Sequence, residues 1–312
     1  MTDRQKGILA VLISGVIWGL SPLYYKMLRH VPPVELLSHR VVWSVVFFVC
    51  VLSFQRRLGA LWSAISSWRC AATLLAASLF IGVNWFVFIR SIQIEKATEA
   101  SLGYFIFPLV VVCIGRVGFG ERLSWVQNAA ILLASLAVVI MTVSQGVVPW
   151  IALLVSISFG LYGYVKKKIS VGPVVSVTAE VLLLAPFALT VLYIIHGSGV
   201  GSGVGSGVGS GVGSGVGGGG IFGQTLDDSV LLMLSGPLTA TPLILFSYAA
   251  KRIPMATLGL LNYVNPTLQF FCAIVIFAEP IGVVQIASFG LIWLALALYS
   301  ADSFRNERAS VR

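Results

Sequence analysis

The chain has 312 residues, of which 58% are hydrophobic and only 10% are charged, and its mean hydropathy is +0.97. Soluble globular domains carry roughly a quarter charged residues, so this composition excludes that class and indicates a polytopic membrane protein. The net charge of +9 does not indicate nucleic-acid binding, because the basic residues fall in small groups between apolar runs instead of gathering in one segment.

Apolar runs follow one another along nearly the whole chain, and most are close to the ~20 residues that cross a hydrocarbon core. The first run, from Gly7 to Leu28, is too long for a signal peptide and ends in bulky residues, so it predicts a retained helix. The ten predicted spans are 7–28, 34–54, 70–91, 98–117, 125–143, 149–166, 173–196, 229–250, 255–278 and 282–301. In the fifth span, Ala130 and Ala134 form a small-xxx-small pair that predicts close helix packing.

Lysine and arginine residues in the loops predict the orientation, because cytoplasmic loops carry an excess of both. With a cytoplasmic N-terminus, 15 of the 20 basic residues fall on the inner side. The five others are Lys26, Arg29, Arg40, Arg90 and Lys96. Both termini are accordingly expected in the cytoplasm.

Residues 197–220 consist of repeated GSGV units followed by GGGG. Glycine loses much backbone entropy on folding, and the tract holds no large apolar side chain that could pack. We therefore predict a flexible outer loop over 197–228, between the seventh and eighth spans. The tract is interpreted as a tolerated low-complexity expansion, with a tether as the functional alternative.

The two halves of the chain show weak internal similarity. Residues 18–20 correspond to 159–161, and Pro108 corresponds to Pro266. Each half has five spans, an odd number, so the second half enters the membrane from the opposite side. The predicted fold is therefore an all-α integral membrane protein with ten transmembrane helices in two inverted five-helix repeats. The two predicted repeats are 1–145 and 146–312.

Motifs in both halves carry a family resemblance. They are VIWGLSPLYYK (16–26), HRVVWS (39–44), IGVNWFVFIR (81–90), EASLGYFIFPL (99–109), FGERL (119–123), YGYVKKKI (162–169), ATLGLLNYVNPTLQF (256–270) and AEP (278–280). In this order they resemble the RarD proteins, a family in the EamA group of the drug/metabolite transporter superfamily. The resemblance implies ten helices, a bacterial inner-membrane location and export of small metabolites or drugs. The family name is attached to chloramphenicol sensitivity.

Ionisable residues inside a bilayer cost roughly 2.5–3.5 kcal/mol each on insertion scales, so each one points to a function. Glu180 lies within the seventh span, and His39 and Arg40 lie within the second. Glu180 is the repeat equivalent of His39, which places the two at comparable depths. We predict that His39 and Arg40 face Glu180 across a central cavity, where they bind a polar end of the substrate or exchange a proton. The alternative is a static buried ion pair that fixes helix packing.

Other polar and aromatic residues within the apolar runs are candidates for lining a substrate pocket, since such pockets are mostly apolar with a few placed polar groups. These candidates are Asn84, Trp85, Tyr104, Asn262, Tyr263, Trp18 and Tyr24. The alternatives are that asparagine only links helices and that the aromatic rings mark the membrane interfaces.

Pro108 and Pro266 interrupt apolar helices at equivalent positions and are candidates for gating bends, with fixed kinks as the alternative. Glu121 and Glu279 also correspond, but they lie at helix ends near water. We expect them to cap the helix that follows each of them.

The sequence contains no Walker A, GxSxG or HExxH motif and only three histidines, so we expect no enzyme activity, no cofactor and no metal site. The predicted function is a secondary transporter that exports small organic molecules by alternating access, with proton coupling as the default energy source. An uncoupled channel or facilitator is the alternative from another class. The expected partners are the lipid bilayer, a small-molecule substrate and protons.

Overall fold

The computed structural model describes residues 1–119, 124–167, 169, 171–197, 220–250, 252–253, 261 and 263–310. Within these ranges the protein is helical, and the only β-type pairing there is an isolated bridge between Phe222 and Thr225. The helices are α1 (Asp3–Met27), α2 (Pro33–Phe54), α3 (Leu58–Ser66), α4 (Trp68–Gln93), α5 (Ala97–Phe119), α6 (Trp125–Gln145), α7 (Trp150–Lys167), α8 (Pro173–Gly197), α9 (Leu226–Ala250), α10 (Val264–Phe271) with a π-helical continuation (Cys272–Ile276), and α11 (Val283–Ser310). The all-α prediction is confirmed for this part of the chain.

Seven described helices are long and apolar enough to cross a membrane, namely α1, α2, α4, α6, α8, α9 and α11. Two further apolar helices, Trp150–Lys166 and Val264–Ile276, are shorter. All ten predicted spans overlap a described helix, although most of the first part of span 255–278 lies outside the described residues. The number of ten transmembrane helices and the inverted arrangement of the repeats stay predictions.

Two local features differ from the sequence prediction. The connection after α2 contains the nine-residue helix α3, which is too short to span a bilayer and was expected to be loop. Helix α9 begins at Leu226, so the predicted loop over 197–228 was too long at its C-terminal end. The reason is a cap, because the Thr225 hydroxyl accepts a hydrogen bond from the Asp228 N–H at 3.1 Å. Residues 198–219 of the glycine tract lie outside the described residues.

The chain forms two compact units. The first comprises Met1–Lys26, Leu79–Ser170 and Pro242–Arg312, and the second comprises Met27–Ser78 and Val171–Thr241. Each unit contains segments of both predicted five-helix repeats, and the boundaries of those repeats stay a prediction.

In the first unit, α5 packs against α7 and α6 packs against α11. The α5–α7 pair approaches closely at Gly103, where an added Cβ would lie 2.7 Å from the Ala152 carbonyl oxygen. On α6, Ala130 and Ala134 are both buried in the core cluster that includes Ile292 of α11. The close packing predicted from the two alanines is therefore confirmed, and it occurs within one chain. Small side chains of this kind let helix backbones approach, which favours association in a bilayer.

In the second unit, α2 and α3 both pack against α8. Val41 of α2 is buried together with Ala185 and Ala188 of α8, so this contact also uses small side chains. Pro33 begins α2, a position where the missing N–H is no loss to the helix.

Large apolar side chains remain exposed along the long helices, among them Leu132, Val143 and Phe187. Such a surface fits contact with lipid instead of water. Trp68, Trp125 and Trp150 are the first residues of α4, α6 and α7 and are exposed, as expected of indole rings at the level of the lipid headgroups.

Candidate functional site

The predicted ionisable residues lie near the starts of two helices that pack against each other, α2 and α8. His39, Arg40 and Glu180 are each at most 5% exposed. Glu180 Oε1 accepts a hydrogen bond from Ser176 Oγ at 2.8 Å, and both Arg40 and Glu180 have further partners in the protein. The structure thus places all three residues in one compact unit. Their arrangement across a central cavity stays a prediction.

His39 also lies beside two ionisable residues that the sequence analysis did not select, Glu35 and His196. Glu35 precedes His39 by one turn on α2, so both lie on the same face of the helix, and His196 is in the last turn of α8. One donor atom of each residue lies within 4.8 Å of those of the other two. The i, i+4 spacing of Glu35 and His39 was a signal available in the sequence, but no local pattern pointed to His196.

The segment that follows the glycine tract contacts the same group. The backbone N–H groups of Ile221 and Phe222 donate to Glu35 Oε1 at 2.7 and 3.2 Å. The Phe222 ring stacks on His39, with centroids 4.6 Å apart and planes inclined by 27°. Transition-metal ions bind carboxylate oxygens and imidazole nitrogens, so these three side chains could hold such an ion. No metal site was expected from the sequence.

Asn84 connects three helices of the first unit. Its Nδ2 donates to the Val155 carbonyl at 2.9 Å and to Ser158 Oγ at 3.3 Å, and its Oδ1 accepts from the Tyr104 hydroxyl at 2.9 Å. Asn84 is 1% exposed. This network links α4, α5 and α7, which is the helix-linking role weighed for asparagine. Substrate contact by Asn84 or Tyr104 stays a prediction.

The remaining aromatic candidates occupy different environments in the first unit. Trp85 on α4 is buried, and Trp18 on α1 is half-buried with its ring 6.1 Å from that of Phe246. Tyr24 is half-buried, 5.0 Å from the Tyr25 ring. Tyr263 packs against the core cluster formed by α5, α6, α7 and α11. Asn262 lies outside the described residues.

The two candidate gating prolines lie on helices of the first unit. Pro266 is buried at the third residue of α10, upstream of the π-helical segment Cys272–Ile276. Pro108 lies within α5, and its side chain is outside the described part of the structure. π-Helical turns interrupt regular α-helix and are frequent at functional sites. Gating at either proline stays a prediction.

Glu279 caps a helix, but not the one that follows it. Its Oε1 accepts from the Ala97 N–H at 2.7 Å, and its Oε2 accepts from the Thr98 N–H at 2.8 Å and the Thr98 hydroxyl at 2.6 Å. These donors begin α5, so the prediction of a cap on the following helix, α11, was wrong in its target. Glu121, the repeat equivalent, lies outside the described residues.

Together, the long apolar helices, the exposed apolar surface and the buried ionisable side chains define a polytopic helical membrane protein with polar groups inside its helix bundle.

Comparison with known proteins identifies the family of membrane proteins that the chain resembles. Residues 5–143 match the EamA-like transporter family. Over 311 residues the chain is 35% identical to the uncharacterized transporter YojE of Bacillus subtilis, covering 99% of this chain and 98% of that protein. It is 34% identical to the protein RarD of Escherichia coli over 307 residues, with 98% and 97% of the two chains covered. A solved crystal structure with 17% identity shares the fold, with a TM-score of 0.60 over 97% of this chain and 99% of the other.

The chain therefore belongs to the EamA-like transporter family of the drug/metabolite transporter superfamily, and within it groups with the RarD proteins. It is a multi-pass bacterial membrane protein and a transporter.

Proposed function

We propose that this protein is a secondary transporter that exports small organic molecules across the bacterial inner membrane by alternating access, driven by the proton gradient. The observation that carries the proposal is the buried ionisable set on α2 and α8, in which His39, Arg40 and Glu180 are each at most 5% exposed. Charged side chains inside apolar helices are costly, and in transporters they mark substrate and proton pathways.

The chemistry of the three residues suits both parts of this task. Imidazole exchanges a proton near neutral pH, and a buried carboxylate can accept or release one when its surroundings change. The Arg40 guanidinium keeps its charge and offers a planar set of donors to a carboxylate or phosphate on the substrate. The predicted inverted repeats would add the symmetry with which many transporters alternate their access. Both termini are proposed to lie in the cytoplasm, where the basic loops gather.

The test is transport in proteoliposomes that hold the full chain. A panel of metabolites and antibiotics, chloramphenicol included, is screened with and without an imposed pH gradient. A coupled carrier accumulates at least one compound above its equilibrium level only when the gradient is present. Equal movement with and without the gradient would contradict the coupling and would favour the uncoupled facilitator.

Single variants connect the activity to the buried set. We expect Glu180→Gln and His39→Gln to reduce gradient-driven accumulation at least about tenfold, because each removes a group that can carry the proton. Matched controls are Glu95→Gln and His30→Gln, whose side chains are 66% and 50% exposed. If Glu180→Gln and His39→Gln insert normally and transport at the rate of these controls, the buried set does not carry transport.

A further inference from the structure

We propose that Glu35, His39 and His196 form a binding site for a divalent transition-metal ion, with Zn²⁺ as the best-fitting ion. The site lies entirely within the second compact unit, where α2 supplies two ligands and the last turn of α8 supplies the third. The site shares His39 with the proposed transport set, but zinc binding is measured without any transport, so failure of one proposal can be told from failure of the other.

The donor set and its spacing fit zinc. One carboxylate and two imidazoles are the protein ligands of zinc sites that keep a fourth position open for water or an anion. The three donor atoms lie within 4.8 Å of one another, and the His196 Nε2 to Glu35 Oε1 distance is 4.0 Å. Zinc bonds of about 2.0–2.2 Å in tetrahedral geometry separate the donors by roughly 3.4 Å. The distances between donor atoms therefore need to shorten by up to about 1.4 Å, and the His196 side chain, 35% exposed, has the freedom to move.

The hydrogen bonds around the three ligands prepare them for a cation. The Nδ1 of His196 lies 3.0 Å from the Leu192 carbonyl oxygen, which can only accept, so Nδ1 carries the proton and Nε2 carries the lone pair. The two N–H bonds from Ile221 and Phe222 fix the Glu35 carboxylate. Metal-binding residues typically have such outer partners, which set tautomer and orientation.

The buried Nε2 atom of His39 is not explained by a simple ion pair between His196 and Glu35. Its side chain is 5% exposed, and within the described residues its Nε2 has no hydrogen-bond partner. A buried polar atom without a partner costs free energy, and such an atom in a folded protein calls for an explanation. An ion pair between His196 and Glu35 leaves His39 Nε2 without a partner. A metal ion that His39 binds through Nε2 satisfies it.

Gly220 sets the position of the third ligand. A Cβ at this residue would overlap the His196 imidazole, with the ring atoms Cε1 and Nε2 nearest to it. Any larger residue at 220 therefore displaces the ring from its place beside Glu35. This gives a variant that disturbs the site while keeping all three ligands.

The experiment measures metal binding by the full chain in detergent, after removal of any affinity tag and treatment with a chelator. Co²⁺ is the spectroscopic probe, since its visible absorption reports tetrahedral coordination, and Zn²⁺ displaces it in a competition titration. We expect one Zn²⁺ per chain, a Co²⁺ spectrum of tetrahedral type and a higher thermal unfolding temperature with zinc. Substitutions His39→Gln, His196→Gln and Glu35→Gln should each weaken zinc binding at least about 100-fold.

Two further variants keep the result interpretable if a buried ligand variant does not fold. Gly220→Ala should weaken binding about 10–100-fold, because it moves a ligand without removing one. His30→Gln changes a histidine that is paired with Asp228 and is not part of the group, so it should bind zinc like the wild type. The proposal is overturned if the wild-type chain takes up no stoichiometric zinc. It is equally overturned if folded His196→Gln and Gly220→Ala proteins bind zinc as tightly as His30→Gln.

Discussion

The carboxylate of Glu279 provides the most quantitative prediction, because it accepts three hydrogen bonds at the start of α5. Two come from backbone N–H groups at 2.7 and 2.8 Å and one from the Thr98 hydroxyl at 2.6 Å, and Glu279 is only 7% exposed. Hydrogen bonds to a charged acceptor contribute about 1.5–3 kcal/mol each, against about 0.5–1.5 kcal/mol for neutral pairs. The Glu279→Gln substitution removes the charge and turns an amide NH₂ toward a donor. We therefore expect a loss of about 2–4 kcal/mol in the free energy of unfolding.

The assay for this prediction is thermal unfolding of purified protein in one detergent. The average unfolding entropy of about 2.1 cal/mol/K per residue converts the expected loss to a Tm roughly 3–6 °C lower for a chain of this length. Glu95→Gln is the matched control, since its side chain is 66% exposed in a pair with Lys26 and its removal should change Tm by less than about 1 °C. Equal Tm values for the two variants would refute the assignment of Glu279 as the cap of α5.

Three other stability predictions concern positions on the helices, with Tm in the same detergent as the measurement. Gly103→Ala should lower stability by about 1–3 kcal/mol, because its Cβ meets the Ala152 carbonyl oxygen at 2.7 Å. Gly163→Ala has open space around its Cβ and should raise stability by about 0.5–1 kcal/mol, so a loss there would contradict the packing argument. Asn84→Ala should lower the free energy of unfolding by about 1–2 kcal/mol. A double-mutant cycle with Tyr104→Phe should give a coupling energy of about 0.5–1.5 kcal/mol. A coupling energy near zero would exclude the 2.9 Å hydrogen bond between Asn84 and Tyr104 as a stabilising contact.

Helix positions were predictable because the length of an apolar run and its flanking residues are local properties. The second predicted span, 34–54, corresponds to Pro33–Phe54, and the seventh, 173–196, corresponds to Pro173–Gly197. Proline starts both helices, and this signal can be read without knowledge of the rest of the fold. Helix α3 was missed because nine residues lie below the length by which a span is recognised.

The sites were less predictable, because they join residues that are far apart along the chain. His39, Arg40 and Glu180 stood out since charge within an apolar run is visible locally. Glu279 was recognised as a helix-capping residue, but its partners on α5 lie almost two hundred positions earlier in the chain. His196 stands beside a glycine tract that indicates a loop, and only the packing of α8 on α2 brings it to Glu35. Periodicity and composition carry no information about such contacts.

Gly220 is the last residue of the low-complexity tract, and its close contact with the His196 imidazole leaves no room for a side chain at this position. Gain or loss of whole GSGV units changes the number of residues before this position but leaves the same amino acid against the imidazole. A point substitution of Gly220 instead places a side chain against the imidazole. In variants of this sequence, the tract should therefore tolerate changes of length far better than a single replacement at its last residue.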